Sequence, residues 1–267
     1  MAFLRRMFSA PAARPTVDVQ LQLTAFVDLR DDASLQVVGE AYRQQNVALA
    51  QPPGPGRLPP GLPAPPPGQY KAVLLTESTN THDRNAIMVL LWAGATWTHV
   101  GYLAREVAAS YQPFFRHLEA KAAAGYKPGV ACDAALIPER DGTGVVLHLG
   151  SPGECAADMA TSGKPTPDHP WVGKLIAFTG EYATTIYGVP LDRHAQALVA
   201  RWAGCEVVPR VTKKVQALIV ADDGQVTGNL QKARDYGIPT AREPDFLAGV
   251  GIAPEAIGRA SGRWAHG

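Results

Sequence analysis

The chain has little of several things that would settle its class at once. Its three cysteines, Cys132, Cys155 and Cys205, are far apart and odd in number, which argues against a disulfide framework or a C-x-x-C metal knuckle and fits a reducing interior. Charge of neither sign dominates, with 25 Lys plus Arg against 24 Asp plus Glu. The protein is therefore no polycation that coats nucleic acid, and any such contact must be a local site. No apolar run is long enough to span a bilayer. The opening MAFLRRMFSAPAARP is basic and acid-free but lacks the apolar core of a secretory signal, so residues 1–16 read as a disordered terminus. A Walker loop, a glycine-rich dinucleotide turn and a Ser/His/Asp arrangement are also missing. His82, Asp83, His99 and His117 share no metal-ligand spacing. No catalytic residue, metal or cofactor is expected.

What is present is patterned in two halves, and 267 residues leave room for two modest domains. Val17 to Val27 alternates apolar and polar residues as a half-exposed strand would. Gln51 to Gly68 is half proline, unfit for a helix or central strand, and reads as a semi-rigid, largely polyproline II spacer within the first domain. Asn80, Asp83 and Asn85 suit a tight turn ahead of a buried strand at Ala86 to Trp92. Arg105 to Ala124 has one apolar face for a helix that Pro113 should kink or divide. Ala131 to Ile137 and Val145 to Leu149 flank the hairpin signal Asp141-Gly142.

Together, VVGEAY at Val37 to Tyr42 and TESTNTHDRNAIMVLLWAGATWTHVGYLAR at Thr76 to Arg105 resemble the HIRAN domain, over roughly Ser34 to Gly150. The resemblance implies a β-rich, barrel-like fold with one or two helices, spanning residues 17–150 with the Pro-rich insertion at 51–68. It also implies a grip on the 3′ end of single-stranded DNA. At matching positions Tyr42, His82 and Tyr102 would stack on bases, a contact that tolerates any sequence. Arg105, at a helix start, would hold a phosphate with its guanidinium fork. Asp83 would accept a hydrogen bond from the terminal 3′-OH, and Asn80 would contact the last nucleotide and help hold the loop. Asn85 reads as structural, and in isolation Asp83 reads as a turn residue too. His82 stands where Tyr is usual and Ala41 where a basic residue occurs, so weaker stacking and fewer phosphate contacts are expected.

Ser151 to Pro170 reads as a linker, rich in Pro, Gly, Ser and Asp. From Gly173 strands and helices alternate: LIAF and ALIV as buried strands, Leu191 to Ala203, Leu230 to Tyr236 and Glu243 onward as helices. AFTG at Ala177 to Gly180, Arg193, AGCEV at Ala203 to Val207, VTKKVQALIV at Val211 to Val220, KARDYGIP at Lys232 to Pro239 and EPDFL at Glu243 to Leu247 resemble a BRCT domain of the bacterial NAD-dependent DNA ligase type. That implies an α/β domain at 171–250, a four-stranded parallel sheet flanked by helices, with 251–267 as a tail. Through the same resemblance Thr179, Gly180 and Asn229 stand at phosphate-binding positions. Asn229 replaces a Lys there, keeping a hydrogen bond but not the charge.

The leading functional expectation is a non-enzymatic DNA-binding adaptor in repair or replication, cytoplasmic and nucleoid-associated, with no membrane partner. Its partners would be a single-stranded DNA 3′ end, duplex DNA or a 5′-phosphate, and repair or replication proteins. The alternatives are a protein-interaction scaffold using the second domain and the Pro-rich segment, or an accessory subunit of a separately encoded nuclease or helicase.

Overall fold

The structure, a computed structural model, describes residues 34–259 except 54–57, 59–61, 123–127, 141, 181–182 and 222–226. The strand expected at Val17 to Val27 and the terminus at 1–16 lie outside the described residues.

The first half is a closed antiparallel barrel. Its strands are β1 (Ser34–Val38), β2 (Tyr70–Thr76), β3 (Ile87–Trp92), β4 (Trp97–Leu103), β5 (Val130–Glu139) and β6 (Gly142–His148), in the order β1-β4-β3-β2-β5-β6. β1 closes the ring by pairing with β4 through Val38 and Tyr102 and with β6 through Leu35 and Leu147. Alternation along the strands sends Ala72, Leu74, Val89, Leu91, Cys132 and Leu147 into one core. Gly101 allows β4 to lie against β1, because a Cβ there would stand 2.5 Å from Val37 Cγ1 and 2.6 Å from the Val38 carbonyl.

After β1, a 3₁₀ turn at Glu40–Arg43 leads into α1 (Gln44–Leu49). α2 (Arg105–Lys121) follows β4 and lays Ala108, Tyr111, Phe114 and Phe115 on the barrel core. Pro113 does not divide this helix. Its missing N–H removes one intrahelical bond, but the buried aromatics on either side hold both turns against the same core.

The Pro-rich segment is more than a spacer. Leu58 and Leu62 pack on an outer patch of the barrel made by Val73, Leu75, Met88, Leu90, Trp92 and Trp97. A proline-rich backbone cannot join the sheet, yet the leucines it carries can still cover apolar side chains.

The segment read as a linker contains α3 (Pro152–Ala160). Ser151 caps it, accepting from the Glu154 backbone N–H, while the Glu154 side chain accepts from the Ser151 N–H. Its small buried residues Gly153, Ala156 and Ala157 let it pack closely on α4.

The second half carries β7 (Leu175–Thr179), β8 (Thr184–Ile186), β9 (Val189–Pro190), α4 (Arg193–Trp202), β10 (Glu206–Val207), β11 (Ala217–Val220), α5 (Gly228–Asp235), β12 (Thr240–Arg242), α6 (Glu243–Val250) and β13 (Ile257–Arg259). A four-stranded parallel sheet runs β10-β7-β11-β12, the sheet that the BRCT resemblance implies, with the apolar runs LIAF and ALIV forming β7 and β11. A second, antiparallel sheet of β13-β8-β9 was not anticipated, and it draws part of the expected tail into the fold.

One apolar core runs through both halves, from the barrel through α2 and α3 to α4 and α6. The Tyr111 hydroxyl donates to the Gly150 carbonyl, and Ser151 donates to the Asp192 carboxylate. The His117 ring on α2 stacks on Tyr187 in the β8–β9 turn, centroids 3.9 Å apart and planes at 26°. Tyr187 holds a left-handed φ of 54°, an uncommon conformation for a bulky side chain, and the stack and its N–H bond to the Ala256 carbonyl hold it there.

Candidate nucleic-acid interface

The β2–β3 loop is tied by its own side chains. The Asn80 Oδ1 accepts from the backbone N–H groups of His82 and Asp83 at 2.9 and 3.1 Å. Asp83 Oδ1 accepts from the Asn85 N–H at 2.9 Å, the Asx turn that this sequence favours. Gln112 of α2 donates to the Asn85 carbonyl at 2.9 Å, joining the loop to the helix. Asn80 Nδ2 donates to Glu77 Oε2 at 2.7 Å, and that same oxygen accepts from the Tyr102 hydroxyl at 2.9 Å.

Asp83 therefore meets two demands. One oxygen serves its own turn, and the other faces Arg105 Nε at 3.4 Å. The Arg105 side chain is 70% exposed and that of Asp83 21%, so the pair lies at a rim in contact with water. Its guanidinium nitrogens at the start of α2 suit an anion, and the carboxylate suits a hydroxyl.

Of the expected residues, Asn80, Asp83, Tyr102 and Arg105 are brought into one bonded group. Tyr42, 95% exposed on the 3₁₀ turn, is a flat surface open to solvent, and His82 is exposed in the loop. Tyr102 differs from the expectation of an open platform. The Arg43 guanidinium lies 5.8 Å from its ring centroid and His99 packs edge-on at 4.8 Å, so Tyr42 is the more accessible stacking surface.

Sequence reasoning missed Glu77, Arg43 and His99. The first two adjoin recognised residues, Glu77 three before Asn80 and Arg43 next to Tyr42, but nothing in their spacing revealed what they touch. His99 faces Tyr102 only because of an irregular register between β3 and β4 at Val89/Leu90, which sequence alternation does not reveal.

The His99 Nε2 donates to the Gly101 carbonyl at 2.9 Å. Burial, reinforced by the Arg43 charge, drives its pKa from 6.5 down to about 4. An unfolded chain takes up the proton near 6.5 while the folded one refuses it until about 4, so the stability this group contributes is complete above 6.5 and is lost as pH falls toward 4, on the order of 3 kcal/mol. His99→Gln is expected to flatten that part of the pH profile in urea denaturation. An unchanged slope would remove His99 as its source.

In the second half, Thr179 and Asn229 line one cleft of about 680 Å³ together with Arg193, Arg201, Phe178 and Val207. The Thr179 hydroxyl bonds that of Thr227 at 2.6 Å, and Asn229 Oδ1 accepts from the Val211 N–H at 3.5 Å. Gly180, at a φ of 91° that favours glycine, offers its carbonyl to Arg193. Sequence reasoning placed Arg193 at the helix start but did not see that Arg193 and Arg201 bring positive charge to this cleft. Among the described residues no group of three or more His, Cys, Asp or Glu is placed to share an ion, and no helix is long and apolar enough to cross a membrane.

Comparison with protein families matches residues 36–129 to the HIRAN domain. The chain carries a HIRAN domain in its first half. The match ends just before β5, yet β5 and β6 complete the ring by pairing with β2 and β1, so the barrel that presents the HIRAN loop extends to His148. Neither the curated proteins nor the solved structures compared with the chain give a match.

Proposed function

We propose that the protein is a non-enzymatic DNA-binding adaptor of repair or replication, nucleoid-associated in the cytoplasm, whose HIRAN domain grips the 3′-OH end of single-stranded DNA. The observation that carries this reading is the Asp83–Arg105 pair at the rim of the barrel. A carboxylate beside a nucleic-acid backbone is repulsive unless a donor compensates it, and a strand offers a hydroxyl for that purpose where it ends. Arg105 would turn its free nitrogens to the neighbouring phosphate, Tyr42 would stack on a base, and His82 would flank it.

The test is equilibrium binding of short oligonucleotides ending in 3′-OH or 3′-phosphate. The free hydroxyl is expected to bind about tenfold tighter. Asp83→Ala should erase the preference and Arg105→Ala should weaken both ends, with affinity falling steeply as salt rises. Equal binding of the two ends by the unaltered protein would refute the proposal.

A second site has its own support. The parallel sheet order and flanking helices are compatible with a BRCT domain, and the cleft joins two of the phosphate-binding positions, Thr179 and Asn229, to Arg193 and Arg201. Those arginines would supply the charge that Asn229 lacks, for a DNA phosphate or a repair partner. The packing of Leu58 and Leu62 on the barrel favours this reading over a scaffold that uses the Pro-rich segment as a free docking arm.

A further inference from the structure

We infer that Glu77 sets the specificity of the end-binding site: one of its carboxylate oxygens fixes Asn80 and Tyr102, while its charge helps turn away a terminal phosphate. The inference deepens the end-binding reading above and rests on it. Glu77 stands at the end of β2, where its N–H donates to the Ala86 carbonyl at 2.9 Å and so closes the loop. Its Oε2 is the common acceptor for Asn80 Nδ2 and the Tyr102 hydroxyl, at 2.7 and 2.9 Å.

Two consequences follow from this geometry. Asn80 is held at both ends of its amide, since its Oδ1 is already accepting from His82 and Asp83. Its orientation is therefore fixed, and with it the backbone that carries Asp83. Asn80 thus acts on the nucleotide through the loop it holds. The second consequence is electrostatic: Glu77 Oε2 accepts from the same Asn80 side chain whose Oδ1 accepts the Asp83 backbone N–H, so the Glu77 charge is tied to the turn that carries the Asp83 carboxylate. A 3′-OH can donate to such a place, whereas a 3′-phosphate brings one and a half to two negative charges. Burial and the bond to Glu77 both raise the ionisation of Tyr102, against the opposing charge of Arg43, which gives the contact a signal of its own.

The experiment compares the full chain with Glu77→Gln and Glu77→Ala, using the two oligonucleotide ends described above and a spectrophotometric titration of Tyr102 calibrated with Tyr102→Phe. The amide oxygen of Gln retains an acceptor with two lone pairs but no charge, so Glu77→Gln is expected to raise affinity for the 3′-phosphate end about fivefold. Glu77→Ala removes acceptor and charge, and is expected to lower affinity for the 3′-OH end about tenfold and to shift Tyr102 ionisation down. If the unaltered protein prefers the 3′-OH end and Glu77→Gln discriminates just as well, the role of Glu77 is refuted while end-binding stands. If Tyr102 ionises unchanged in Glu77→Ala, the positioning half is refuted. If the unaltered protein does not distinguish the ends, the underlying reading fails first.

Discussion

Asp133→Ala is expected to destabilise the protein by roughly 3 kcal/mol or more. Lys71 on β2 is wholly buried and lies directly opposite Asp133 on β5, its Nζ 2.8 Å from Oδ1. Taking both charges out of water is costly, and their attraction at low dielectric offsets that cost only while both are present. Removing the carboxylate leaves the ammonium in the same dry place without the partner that faces it across the strands. Replacing both charges with apolar residues of similar size, Lys71→Met with Asp133→Leu, should recover most of the loss. Chemical denaturation at neutral pH measures the difference. A single variant within 1 kcal/mol of the parent (about fivefold in the folding equilibrium) would show that the pair contributes little.

Phe114→Ala should have an effect of similar size, about 3–5 kcal/mol. The side chain is fully buried on α2, at the centre of the core that continues into the second half. The informative part is where the loss is felt. With the core continuous, Trp97 in the barrel and Trp202 in α4 should report the same shifted unfolding midpoint when each is followed in variants lacking the other tryptophans. If the Trp202 transition stays in place while that of Trp97 moves, the two halves unfold independently and the shared core does not couple them.

How much was legible in the sequence depended on how local the signal was. β3 and β7 were readable because their apolar runs are bounded by turn residues, and α4 because its amphipathic face is followed by Gly204, although the cap is Asp192 and not the Pro190 that marked its start in the sequence. α3 was hidden by composition: its packing face is built of glycine and alanine, residues that also make linkers, although the Ser151–Glu154 capping pair was there to be read. The β8-β9-β13 sheet joins segments about seventy residues apart, each only two or three residues long. At the candidate site the turn chemistry of Asn80 and Asp83 was visible, since both act on near neighbours. The bond from Tyr102 to Glu77 spans 25 positions, and no periodicity announces it.

The closure of the barrel limits how anything can be recognised by it. Because β1 is hydrogen-bonded on both flanks, the six strands close into a ring, and none of them is an open edge strand for a visiting chain to zip onto. On the proposal above, recognition at this surface rests on side chains, a handful of groups carried by one loop, one 3₁₀ turn and one helix start. Such a surface can be retuned by single substitutions without disturbing the scaffold beneath it, so the choice of ligand can drift quickly while the fold stays put.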